Sequence, residues 1–266
     1  MSEPERSVGA ACRAVLNTGN PHDKLMLARA TARAWRKGEL THAFDIAMPD
    51  VPARPEAPEL LPPNRMPRRG KAGSLRARIA MLHALAHIEF VAIDLAFDLV
   101  GRFGAHFPSG FVDDWIKVGA EEAMHFALLD RRLKQLGSHY GALPAHDGLW
   151  QSATETAHDA VARLAIVPML LEARGLDVTP LTITRFTEAD DSISARMLQR
   201  IMNDEISHVS AGTRWFNHAA LRIGAEPTSL YREMVKRHFC GAVKPPFNDS
   251  ARRQAGLTRD YYEKLA

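Results

Sequence analysis

What most constrains this chain is a set of ionisable residues placed on the apolar seams of four long helical patterns. From Ser74 to about Gly224 there are few β-branched runs, and apolar residues recur at the a/d spacing of a helix bundle. This periodicity predicts helices over about 75–101, 110–136, 151–174 and 191–222. In the first, Leu75, Leu82, Glu89 and Ala96 repeat every seven residues, and Ile79, Ala86, Ile93 and Val100 supply the complementary seam. In the second, Glu122 and His125 interrupt a stripe running from Trp115 and Val118 to Leu129. Glu172 follows Ala165 and Met169 in the third, and Glu205 with His208 lies between Ile201 and Trp215 in the fourth.

A carboxylate carried alone into a low-dielectric interior is costly, so buried acids are protonated, paired or bound to metal. Four acids with two histidines cannot neutralise one another well, whereas two divalent cations would. The spacing sharpens the point. Glu122-x-x-His125 and Glu205-x-x-His208 each put a carboxylate and an imidazole on one helical face. Each pair follows a lone seam glutamate by the same separation, 122 − 89 = 33 and 205 − 172 = 33, so the chain reads as two similar hairpins. A Glu from each of two helices and a Glu-x-x-His from each of the other two is the ligand set of di-iron and di-manganese carboxylate bundles. The expected metal ligands are therefore Glu89, Glu122, His125, Glu172, Glu205 and His208, with two ions, iron first and manganese as the alternative.

The expected fold is all-α: a ferritin-like four-helix bundle over 71–224, with N-terminal helices and a Pro-rich wrap over 1–70 and a short helical extension over 225–266. Two short helices are predicted at roughly 7–17 and 22–37, and the run from Pro49 to Pro67 is predicted to be extended, because proline removes donors and fixes φ. Helices two and three are separated by GSHYGALPAHDGLW. Its residues reach about 46–50 Å, against about 37 Å for a 25-residue helix, so this loop permits a single long crossover. Pro168 is expected to kink the third helix, Gly175 to cap it and Thr179-Pro180 to begin another, which predicts a break close to Glu172; the break either opens a substrate or oxygen pocket or only turns a corner of the fold. Glu121 and Asp204 fall on polar stripes and are read as solvated or supporting residues. His83 and His87 read as core-edge histidines able to support a ligand, and His158 lies too far along its helix to join the cluster. His146 and Asp147 read as turn-stabilising residues of the crossover loop.

Composition narrows the partners. At 46% apolar, 266 residues can bury a large core. A net charge of +3 is too mild to imply nucleic acid. Arg65, Arg68, Arg69, Lys71, Arg76 and Arg78 form a basic cluster free of acids; it reads as a solvated surface, with phosphate binding as the alternative. Two cysteines, Cys12 and Cys240, and an acidic, non-apolar start predict a cytoplasmic chain without a leader. The longest apolar stretches meet Asp94, Asp98 or Glu172, so no membrane span is expected.

The segments AHIEFVAIDLAFD, GAEEAMHFALLDRRL, YGALPAHDGLW, VPMLLEARGLDVTP and NDEISHVSAGTRWF, with the Pro-rich lead-in and PPFN at 245–248, resemble a bacterial ferritin-like family of unknown function. The resemblance spans nearly the whole chain and implies the same bundle and the same six ligands. In ligand pattern the chain is more distantly similar to the di-iron tRNA hydroxylases, which is an analogy of fold and says little of substrate. The leading expectation is an enzyme: a di-iron oxidase or hydroxylase acting with O2 on an unidentified small organic molecule, as a monomer or small homo-oligomer. No tyrosine among Tyr140, Tyr231, Tyr261 and Tyr262 adjoins a nominated ligand in sequence, which disfavours a stable tyrosyl radical. The alternative is iron binding, ferroxidation, storage or sensing with no organic substrate.

Overall fold

The structure, a computed structural model, describes residues 6–66 and 72–266. Among these the chain is helical, and the only β-type pairings described are the isolated bridges Ser7–Thr41 and Leu60–Ala145. Packing divides it into two compact units, Met1–Gly70 with Leu75–Trp150 and Lys71–Ser74 with Gln151–Ala266.

The first unit is built from α1 (Val8–Leu16), α2 (Pro21–Arg36), α3 (Leu75–Phe103) and α4 (Ser109–Gln135). Ser7 Oγ accepts from Ala10 N at 3.1 Å to start α1, and Asn20 Oδ1 accepts from Asp23 N at 3.2 Å ahead of Pro21 to start α2. The two long helices run antiparallel: Gly119 meets Phe97, and further back along α3 Glu89 meets His125. A Cβ on Gly119 would lie 2.6 Å from the Phe97 ring, so glycine here is what lets the helices approach. α1 packs on α3 and α2 on α4. The Pro-rich segment forms one short turn, Pro63–Arg65, within otherwise irregular backbone. It is fastened to the loop after α4 by Leu61 N to Ala145 O at 2.8 Å and Ala145 N to Glu59 O at 2.9 Å.

α3 departs from a simple heptad in two ways. Leu75, first of its expected seam, is 48% exposed, because it begins the helix before α4 covers it. Asp94 and Asp98, by contrast, are fully buried. Asp94 is held by the ammonium of Lys24, itself without exposure, and by the guanidinium of Arg54. Burial pulls Lys24 below its ordinary value, and Asp94 works against that shift. Asp98 takes Arg102 Nε at 3.0 Å and Nη2 at 2.8 Å, and the same Nη2 donates to Pro49 O at 3.1 Å. By length and composition the stretch Leu75–His106 would suffice to cross a membrane, which the position of the aspartates did not lead one to expect. In the fold 72% of its most apolar window is buried, largely by the unit's own helices.

The second unit holds α6 (Ala160–Ile166), a π-helical segment Val167–Glu172, α7 (Ala173–Glu188), α8 (Ser192–Arg222) and the shorter α9 (Pro227–His238), α10 (Asp249–Gln254) and α11 (Arg259–Tyr262). The preceding α5 (Gly148–Glu155) spans the division between the units. The expected third helix is therefore corrected at both ends. It is interrupted before α6, where Asp159 accepts from Val161 N at 2.8 Å and Ala162 N at 3.2 Å, and it continues past Glu172 to Glu188. Gly175 caps nothing, and Pro180 sits inside α7. A proline deprives the carbonyl four residues earlier of its donor. For Pro180 that carbonyl is Leu176 O, and the Asn248 side-chain amide supplies the bond at 3.1 Å. Asn248 is brought there by a buried pair: Arg252 donates from Nε to Asp177 Oδ1 at 2.8 Å and from Nη2 to Oδ2 at 2.7 Å. The C-terminal segment is thereby clamped to α7.

Replacing Asp94 with Ala leaves the buried Lys24 and the half-buried Arg54 without their shared anion, and the expected cost is about 3–5 kcal/mol. Lys24→Met keeps the Asp94–Arg54 pair and is expected to cost less. Urea unfolding of both variants checks the order.

Candidate metal centre

In the first unit, α3 supplies Glu89 and α4 supplies Glu122 and His125, all buried. The Glu-x-x-His spacing puts Glu122 Oε2 3.3 Å from His125 Nδ1, and the antiparallel register brings Glu89 Oε2 to 3.2 Å from the same nitrogen. One donor atom of each residue lies within 4.8 Å of the others. Within this triad one imidazole, even protonated, balances one of two carboxylates. Oxygen and imidazole donors converging in a dry interior suit a divalent first-row metal, and the residues present therefore fit such an ion.

In the second unit, α8 places Glu205 Oε1 3.5 Å from His208 Nδ1. His208 is fully buried, while Glu205 and Glu172 are half-buried rather than fully inside their seams. Glu172 ends the π-helical segment. Gly212 on α8 abuts Pro168, and the chain reverses between α7 and α8 within three residues, so four residues further along each strand of this hairpin Glu172 stands level with His208. That register mirrors Glu89 against His125 in the first unit. The expected kink at Pro168 takes the form of a π turn: the missing donor is absorbed by a wider helical ring rather than by a break. Tyr231 Oη donates to Met169 O at 3.2 Å within the same turn. A cavity of about 200 Å³ is lined by Leu170, Leu171 and Arg174 on either side of Glu172, but Glu172 is not part of its wall.

The remaining expectations resolve individually. Glu121 lies 3.7 Å from Lys117 on the outer face of α4, and Asp204 is half-buried beside Glu205. His83 and His87 brace the loop after α4: His83 Nε2 accepts from Gly141 N at 2.9 Å, and His87 Nδ1 meets Tyr140 Oη at 3.0 Å. Burial, then Arg54 and the His146 and His83 rings, lower His87 to about 4, against a small opposing pull from the His146 backbone. His146 Nδ1 accepts from Gly148 N at 3.3 Å, a turn-stabilising bond. His158 lies beside His238, with ring centres 6.4 Å apart. Of the basic cluster, Arg65 and Arg76 are exposed and Arg78 half-buried, while Arg68, Arg69 and Lys71 lie outside the described residues. Sequence reasoning did not find the buried ion groups at Asp94 and Asp177. Two aspartates four apart in the apolar run of α3 were the available signal for the first.

Comparison with known proteins adds a family. The family described as "Protein of unknown function (DUF455)" matches residues 17–263. A Haemophilus influenzae protein named "Uncharacterized protein" is 39% identical over 216 residues, covering 79% of this chain and 75% of its own. No solved structure matches.

Gly212→Ala would set a Cβ 2.6 Å from the Pro168 ring, with little on either side able to yield. It is expected to destabilise the fold by about 1–3 kcal/mol and to displace the turn carrying Glu172. Chemical denaturation reads the first effect, and metal content of the purified variant the second.

Proposed function

The chain belongs to the DUF455 family, and we propose that it is a ferritin-like dinuclear metal protein that activates O2 to oxidise or hydroxylate a small organic substrate. The observation that carries the reading is the buried triad Glu89, Glu122 and His125, two carboxylates against one imidazole nitrogen, with donor atoms within 4.8 Å. The matching register of Glu172 and His208 beside Glu205 supports a second set of the same composition. On this proposal the chain is a ferritin-like four-helix bundle, and the six residues would hold two ions. His125 and His208 each bind one, while the four carboxylates supply the compensating charge. When bound, reduced iron, or manganese in its place, supplies the redox chemistry with O2. The protein's own contribution is to present these donors in fixed rotamers and to keep bulk water from them. His125 and His208 are fully buried, and Phe90 and Phe126 pack against each other close by in sequence to Glu89 and His125.

The purified protein is expected to carry about two equivalents of iron per chain by elemental analysis, the stoichiometry of a two-metal site, and to consume oxygen after anaerobic reduction. Glu122→Ala and His208→Ala are each expected to lose metal and oxygen uptake while keeping a helical circular-dichroism spectrum. Unchanged metal content and uptake in both variants would exclude the proposal. A shell of many subunits on a sizing column would favour iron storage instead.

A further inference from the structure

We infer that the second unit carries a further binding site, a cavity for a small anion with an apolar body, between the helix around Leu170 and the segment that follows α9. The cavity measures about 200 Å³, and Leu170, Leu171, Phe239, Ala242, Val243 and Phe247 form its apolar wall. None of the six proposed metal ligands is part of that wall, so the inference stands apart from the metal reading.

The cavity exists because the chain from Phe239 to Asn248 is tied down on both sides of it. α9 is fastened to the π turn by Tyr231 Oη, which donates to Met169 O at 3.2 Å. Further on, Arg174 Nη1 donates to Lys244 O at 2.8 Å and to Pro246 O at 3.0 Å, and Asn248 N donates to Asp177 Oδ1 at 2.9 Å. Between these ties the segment forms no helix and faces Leu170 and Leu171 across the cavity. A Cβ at Gly241 would lie 2.4 Å from the Phe239 ring, so glycine is what lets that ring fold back against its own segment. Aliphatic and aromatic groups around an unfilled space lack contact partners, which an apolar body supplies. An apolar cavity of about 150 Å³ takes benzene, so this one suits a single ring or a short chain.

The polar part of the wall selects the sign of the ligand. It consists of Arg174, Asp177, Lys244 and Arg252. Arg252 and Asp177 cancel as a buried two-point pair, which engages both carboxylate oxygens. Arg174 and Lys244 remain, so the wall holds positive charge in excess. The first acid along the segment, Asp249, is turned to other partners, Tyr262 Oη at 2.7 Å and Arg259 at 3.5 Å. Lys244 is exposed and Arg174 half-buried, which puts both cations on the solvent side of an otherwise apolar space. The bonds described for Arg174 all leave from Nη1, so Nε and Nη2 keep their hydrogens for a ligand. A neutral hydrocarbon would leave these donors unused, and a cation would be repelled. An anionic head on an apolar body meets both halves of the wall.

Hexanoate titrated into the full-length protein, followed by calorimetry and by protein NMR shifts, tests the assignment. Saturable binding with a dissociation constant in the millimolar range or tighter is expected. Each methylene added from butyrate to hexanoate is expected to tighten binding about threefold to fourfold. Hexanol, which keeps the body without the charge, is expected to bind about threefold more weakly, hexylamine more weakly again, and inorganic phosphate more weakly than hexanoate. Lys244→Glu changes an exposed side chain and is expected to leave the thermal midpoint and hexanol binding as in the parent while weakening hexanoate about threefold or more. Phe239→Ala is expected to weaken hexanoate and hexanol alike. Absence of saturable binding, hexanol or phosphate binding as tightly as hexanoate, no gain with chain length, or unchanged hexanoate affinity in either variant overturns the inference.

Discussion

Balancing buried negative charge is the constraint on which this structure turns. Three of the places where its long helices carry carboxylates inside the fold are each answered differently. Asp94 is met by an ammonium and a guanidinium from remote parts of the chain, Lys24 and Arg54. Asp177 is met by a two-point guanidinium from Arg252 and a backbone donor from Asn248. Glu89 and Glu122 face a shared imidazole instead. A guanidinium carries its charge at any ordinary pH, whereas an imidazole close to two carboxylates is also the arrangement from which a metal takes its donors. The first two groups hold the fold together, and the third is the candidate for chemistry.

The two structural groups also explain the ends of the chain. The Pro-rich segment cannot build a ladder of its own, so its position is set by what it delivers: Arg54 to Asp94, the Pro49 carbonyl to Arg102, and Glu59 and Leu61 to the loop after α4. The C-terminal segment delivers Arg252 and Asn248 to α7, where Asn248 also supplies the bond that Pro180 denies to Leu176. Neither end is an ornament on the helices. Each supplies polar partners that the helices lack.

Much of this was legible before any coordinates. The long helices begin and end within a few residues of their expected limits where the periodicity is clear, as over α4 and α8. The third helix was misjudged because glycine and proline were weighed as local signals. Gly175 sits in open surroundings and costs a helix little that packing cannot restore, and both prolines are accommodated, Pro168 by a π turn of its own helix and Pro180 by a bond from the distant Asn248. Local propensity yields when a distant group supplies the missing donor.

The amino-acid order alone determined that Glu122 and His125, and Glu205 and His208, must share helical faces, because a residue three positions on returns to the same side of any α-helix. It likewise determined the repeat of a seam glutamate ahead of each pair. Only the tertiary structure decided that Glu89 meets the same nitrogen as Glu122, and that Lys24, Arg54 and Arg252 are among the cations that answer buried aspartates. Which of many lysines and arginines leaves water depends on the approach of segments up to 75 positions apart, and no periodicity in the chain encodes that approach.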